Sequence, residues 1–215
     1  MVRIKNDVFV YAEGGGSGAN SASLQAEYRQ AFAAFFSRTI LSTARRPRVV
    51  TCGGRDQALE MFKTAVLQGK NALLLVDSEA AVSPSHAPHP TQNGLPWAHL
   101  RAHDGWNMPA GSSDSDCHLM TQCMESWFLA DWQTVQNYFG RGFITSTLPK
   151  GPIEAIAKLD LYAALQRATN SCETKSRYSK GEHSFKILSL IDPSKVIAAS
   201  PWAKRLIDEL AKRKP

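Results

Sequence analysis

Three carboxylates stand out because each follows a short apolar run. Glu13 comes after Val8-Phe9-Val10-Tyr11-Ala12, and Asp77 and Glu79 come after Ala72-Leu73-Leu74-Leu75-Val76. Carboxylates that converge from neighbouring strands repel one another unless a cation sits among them. A donor set of oxygens with no Cys or His suits a hard divalent ion, Mg²⁺ or Mn²⁺. The spacing Asp77-Ser78-Glu79 adds to this, because residues two apart on an extended chain face the same side and can meet one centre. Mg²⁺ keeps several waters and takes phosphate oxygen as a further ligand. The pattern therefore points to chemistry on phosphoesters, although the same acids would also suit solvent-facing strand ends.

The elements that must position these residues alternate regularly. After the first apolar run comes a glycine cluster, Gly14 to Gly18, and then Leu24, Tyr28, Ala31, Phe32, Phe35 and Phe36 at helical spacing. Arg48 to Cys52 reads as a second strand closed by Gly53-Gly54, and Ala58, Leu59, Phe62, Ala65 and Val66 trace a second helix. With Ala72–Val76 the order is β-α-β-α-β. Strands without polar alternation suit a parallel sheet covered on both faces. Right-handed crossovers then place the strand ends on one edge, where ligand sites of such sheets lie.

From about 80 to 116 the rhythm breaks into a long loop with five prolines and His86, His89, His99 and His103. Cys117 to Met124 reads as a fourth strand leading into a helix at Glu125 to Trp132. The last third reads as helical over Ile153–Ala168, Ser184–Ile191 and Pro201–Arg213, with a polar basic loop from Asn170 to Gly181 between the first two. The expectation is an α/β core over 1–140 and a C-terminal helical elaboration over 141–215, together one domain.

Composition bounds the function class. The chain has 215 residues, 43% hydrophobic and 20% charged, enough for a core without a disulfide or metal staple. No apolar run approaches the ~20 residues that span a bilayer, and the N-terminal run is too brief before Glu13 for a secretory signal. The four cysteines form no CxxC pair, which fits a reducing cytoplasm. Lys and Arg number 25 against 19 Asp and Glu, a net charge of +6. Basic residues gather at Arg45, Arg46 and Arg48, between Lys175 and Lys186, and between Lys204 and Lys214. These read either as a surface for a polyanion or as solvated faces.

Glu13-Gly14 after a first strand, with Asp77-Ser78-Glu79 after a third, resembles the Toprim fold of topoisomerases, bacterial primases and overcoming-lysogenization-defect nucleases. Tyr11-Ala12-Glu13-Gly14, Gly53-Gly54-Arg55-Asp56, Leu75-Val76-Asp77-Ser78-Glu79, Gln122 to Asp131 and Tyr178-Ser179-Lys180-Gly181-Glu182-His183 more closely resemble a bacterial Toprim-like family, domain-of-unknown-function family 4276. The resemblance implies a Toprim-like sheet and a divalent-metal-dependent nuclease of anti-phage defence, often beside an ATPase partner. It implies that Glu13 is a metal ligand or general acid/base and that Asp77 and Glu79 are metal ligands, Glu79 departing from the commoner Asp. It implies that Glu125 holds a second metal.

Lys180 and His183 are candidates for charge stabilisation or proton transfer. Arg55, Arg177, Lys180 and the backbone of Gly14 and Gly15 are candidates for phosphate contact. The glycine cluster lacks the Lys-Ser/Thr of a P-loop and reads more simply as a turn that frees the edge. Two other functions stand beside the nuclease. One is a non-catalytic or partner-controlled effector subunit held by an ATPase, with Lys204–Lys214 as its docking face. The other is a small nucleotide-binding or phosphotransfer domain using Gly14 to Gly18.

Overall fold

The computed structural model describes residues 7–15, 21–39 and 46–213. Gly16 to Gly18 of the glycine cluster, Arg45 and Lys214 lie outside the described residues. Four strands, β1 (Phe9–Ala12), β2 (Arg48–Thr51), β3 (Ala72–Asp77) and β4 (Cys117–Met120), form one parallel sheet in the order β2-β1-β3-β4. In this register Ala12 lies beside Thr51 and Leu75, and Asp77 beside Met120. The chain after every strand therefore leaves from the same edge, as the alternation predicts.

Both faces of the sheet are covered. Val10, Ala12, Leu73 and Leu75 pack with Phe32, Phe35 and Phe36 of α1 (Ser21–Ser37) and with Trp127 of α4 (Trp127–Ala130). Tyr11, Leu74 and Val76 face the other way, against Phe62 of α2 (Arg55–Leu67) and Leu100 of α3 (Pro96–Asp104). Every residue of β3 is buried, which is why this strand reads as an unbroken apolar run. The first of these cores also takes in α5 (Trp132–Phe139), α6 (Lys158–Ala168), α7 (Lys180–Leu188), α8 (Pro193–Ala199) and α9 (Pro201–Lys212) through Val135, Leu161, Ile187, Val196 and Leu206.

Several boundaries differ from the sequence reading. The stretch from 80 to 116 is not loop throughout: it contains α3, which has Pro96 in its first turn and is closed by Gly105 at φ 72°. Trp97 anchors it, donating from Nε1 to the Ser113 carbonyl at 3.0 Å. β4 ends at Met120, and Thr121 to Cys123 leave the sheet. Ile153–Ala168 is interrupted at Ile156 and Ala157, where the backbone is extended. The polar loop ends at Ser179, so Lys180 opens a helix. An additional helix, α8, stands before α9, and the proline in each first turn marks its start.

The basic C-terminal run is partly structural. Arg205 is buried and donates to the carbonyls of Asn93, Cys117 and Asp114, and its Nη1 lies 2.9 Å from His118 Nδ1. Arg213 bridges Asp116 at 2.6 Å and Glu209 at 2.9 Å. These two arginines face inward and do not belong to a docking face. No helix among the described residues is long and apolar enough to cross a membrane.

Candidate metal centre

The strand edge brings the three acids together. One carboxylate oxygen from each of Glu13, Asp77 and Glu79 lies within 4.8 Å of the others. Glu13 arrives on β1, whose pairing continues one residue further as the Glu13 N–H donates to the Leu75 carbonyl at 3.1 Å. Its Oε2 accepts the Asp77 N–H at 3.2 Å, and its own carbonyl accepts from Tyr28 Oη at 2.7 Å. Asp77 is the last residue of β3 and is 3% exposed. Its Oδ1 accepts the Met124 N–H at 2.9 Å, which fixes the carboxylate against the chain leaving β4.

Glu79 reaches the cluster by a different route from the one its spacing suggests. The strand stops at Asp77, and Glu79 has φ 62°, the left-handed region that a non-glycine residue rarely adopts. The turn is held by the end of β4 and the chain just after it, Ser78 N–H donating to Met120 O at 3.0 Å and Glu79 N–H to Gln122 O at 2.9 Å. His99 Nε2 donates to the Ser78 carbonyl at 2.9 Å. A tight turn, not the alternation of an extended strand, therefore brings the second acid in.

Two lysines complete the centre. Lys158 Nζ donates to Glu79 Oε1 at 2.6 Å and to Asp77 Oδ2 at 3.3 Å. Lys180 Nζ lies 4.0 Å from Asp77 Oδ2 and 3.8 Å from Glu125 Oε1. Each is the first residue of its helix, a place where a cation opposes the helix dipole. Their ion pairs with the acids offset that cost. Sequence reasoning missed Lys158, and its position at a helix start is the one signal that could have drawn attention to it.

Arg55, in the first turn of α2, clamps the edge from the other side. Its Nη1 donates to the Asp77 carbonyl and lies 3.5 Å from Glu13 Oε2, while Nη2 meets Asp104 Oδ2 at 2.7 Å. The guanidinium is thus engaged internally, not left free for a phosphate as its sequence position suggests.

Burial and repulsion shape the acidity. Desolvation, then the charges of Glu13 and Glu125, push Asp77 up to about 7 against the pull of Lys180 and Lys158. Glu13 is also raised, by burial first, with Arg55 opposing. For Lys158 burial works against the charge, but Asp77 and Glu79 outweigh it and raise its pKa. Four carboxylates, Glu13, Asp77, Glu79 and Glu125, stand against three cations, Arg55, Lys158 and Lys180, of which Arg55 also serves Asp104. The cluster is short of positive charge, and its donors are all oxygen. That set fits Mg²⁺ or Mn²⁺.

The other candidates fall in different places. Glu125 is fully buried and lies outside the group of three. Its oxygens accept from Tyr162 Oη at 3.1 Å and Ser184 Oγ at 3.0 Å, and Oε1 lies 3.8 Å from Lys180 Nζ. His183 is buried beside Tyr138, Phe139 and Tyr178. Its Nδ1 accepts the Ser179 N–H at 3.1 Å at the start of α7, and its Nε2 lies 3.3 Å from Ser176 Oγ. Its nitrogens serve the turn, and burial lowers its pKa. Arg177 binds the carbonyl and side chain of Gln166 on the surface. Gly14 spends its N–H on Gly53 O at 2.8 Å and accepts from Gly53 N–H at 3.0 Å, so this amide is not free to cradle a phosphate. Gly14 has φ 138°, and a Cβ there would run into the ring of Tyr28. Gly15 borders the cluster at φ 88°.

Comparison with protein families matches residues 12–211 to the family described as Domain of unknown function (DUF4276). The chain belongs to the DUF4276 family. The match takes in Glu13, Asp77, Glu79, Lys158 and Lys180, so the whole centre lies within the DUF4276 region. No curated protein and no solved structure matches the chain.

Proposed function

We propose that this DUF4276 chain is a divalent-metal-dependent phosphodiesterase acting on nucleic acid. The observation that carries the reading is the convergence of Glu13, Asp77 and Glu79, from two separate strand ends, on one point. In this reading Glu13, Asp77 and Glu79 hold Mg²⁺ or Mn²⁺. Such an ion activates water and stabilises negative charge on a phosphoryl oxygen. Lys180, partly exposed beside the acids, places a positive charge where the phosphate would lie. Arg55 keeps the ends of β1 and β3 in register, and Glu125 holds the Lys180 side chain toward the centre. The Toprim relationship, a role in anti-phage defence, an ATPase companion and a cytoplasmic setting belong to this proposal through the resemblance noted in the sequence.

The test is cleavage of plasmid, single-stranded DNA and tRNA by the purified chain with Mg²⁺ or Mn²⁺. Loss of cutting in Asp77→Asn and Glu13→Gln supports the assignment, and variants that cut as well as wild type overturn it.

One observation favours a second reading, in which a partner controls the centre. Lys158 Nζ already bridges Asp77 and Glu79, so the free chain holds its acids closed with its own cation. A stable complex with an ATPase partner, together with no cutting by the free chain, would support control by that partner.

A further inference from the structure

A cavity of 370 Å³ opens beside the acids, and its lining is mixed in chemistry. Glu13, Asp77 and Lys180 line it together with the apolar side chains of Leu24, Tyr28, Met120, Met124 and Phe185. Tyr28 and Phe185 form an edge-on pair with ring centroids 5.1 Å apart, and Tyr28 is fixed by its bond to the Glu13 carbonyl. Gly14, Gly15, Gly53 and Gly181 make up much of the remaining wall, so the backbone can approach a ligand without intervening side chains. A volume of this size falls in the range of small-ligand sites. Carboxylates and a lysine beside apolar side chains match a phosphate joined to a flat ring.

We propose that this cavity receives one unstacked nucleobase of a single-stranded polynucleotide, with the adjoining phosphodiester at the acidic cluster. The inference rests on the phosphodiesterase reading and narrows its substrate. A base inside a duplex cannot reach into this cavity, whereas an unstacked base can bury apolar surface against its walls whatever its identity. The site therefore selects single strands, with little preference for base.

Gly181 provides the test. A Cβ there meets nothing within 4 Å, and the residue lines the cavity from the first turn of α7, so Gly181→Leu adds bulk at the cavity wall without a Cβ clash. Binding of fluorescent oligothymidylate is measured in Ca²⁺, alongside the same strand with its central nucleotides abasic; an oligouridylate arm separates DNA from RNA. Wild type is expected to bind the base-bearing strand at least tenfold more tightly, and Gly181→Leu to lose that preference. Leu24→Trp, at another lining position, is expected to do the same. Equal affinity of wild type for both strands, or no binding of either, overturns the proposal, as does a preference that survives both variants. Mn²⁺ binding, followed by electron paramagnetic resonance, is expected to be the same in Gly181→Leu and wild type. Failure of the base pocket with intact Mn²⁺ binding and cutting leaves the phosphodiesterase reading standing. Absence of Mn²⁺ binding and cutting in wild type removes that reading itself.

Discussion

Replacing Asp77 with asparagine should stabilise the metal-free protein while removing its affinity for metal. Asp77 is buried among Glu13, Glu79 and Glu125 and holds its proton up to about 7, against an ordinary value of 3.8. An acid whose pKa is higher in the folded than in the unfolded chain binds its proton better when folded. Its burial costs nothing below the unfolded value and costs progressively more as pH rises toward the folded one, to at most ~4 kcal/mol above pH 7. Asparagine keeps an oxygen for the Met124 N–H but gives up the ion pair with Lys158, which retains Glu79. The balance is a gain of about 1–3 kcal/mol at pH 8. Urea unfolding in EDTA at pH 8 and pH 5 reads it directly. Asp77→Asn should exceed wild type at pH 8, and the advantage should shrink at pH 5, where wild-type Asp77 is protonated. A variant less stable than wild type at pH 8, or an advantage equal at both pH values, would show that the acids are not in electrostatic conflict.

Further outcomes follow from the same geometry. Because metal must displace the proton held by Asp77, apparent Mn²⁺ affinity should fall about tenfold for each pH step of one below about 7 and level off above it; calorimetric titration across pH 5 to 8 measures the slope. Lys158→Met removes the cation that competes for Asp77 and Glu79. Its Mn²⁺ binding should tighten by at least roughly tenfold, while its metal-free stability at pH 8 falls; titration and urea melts report the two halves. Arg205→Met leaves the carbonyls of Asn93, Asp114 and Cys117 without their donor. It should cost about 3 kcal/mol of stability, measured by urea unfolding, with Mn²⁺ affinity unchanged.

The β-α-β-α-β order and the meeting of Glu13 with Asp77 were legible because continuous apolar runs and helical spacing leave little choice of topology. The Glu79 position was legible by type and not by mechanism: spacing of two suggests a strand, but the chain turns at φ 62° and is held by Met120 and Gln122. Lys158 was hidden because its partners stand far away in sequence and a single lysine at a helix start carries no pattern. α3 was masked by the prolines around it, although Pro96 is itself a helix-start signal. His183 and Arg55 looked available for chemistry because sequence shows side-chain type and not whether its polar atoms are already engaged.

The most direct measurement is anomalous diffraction from crystals soaked in Mn²⁺. The expected result is a peak bounded by the carboxylates of Glu13, Asp77 and Glu79, with Lys158 Nζ moved off Asp77. A soaked crystal with no peak there, and Lys158 still bridging Asp77 and Glu79, would contradict it.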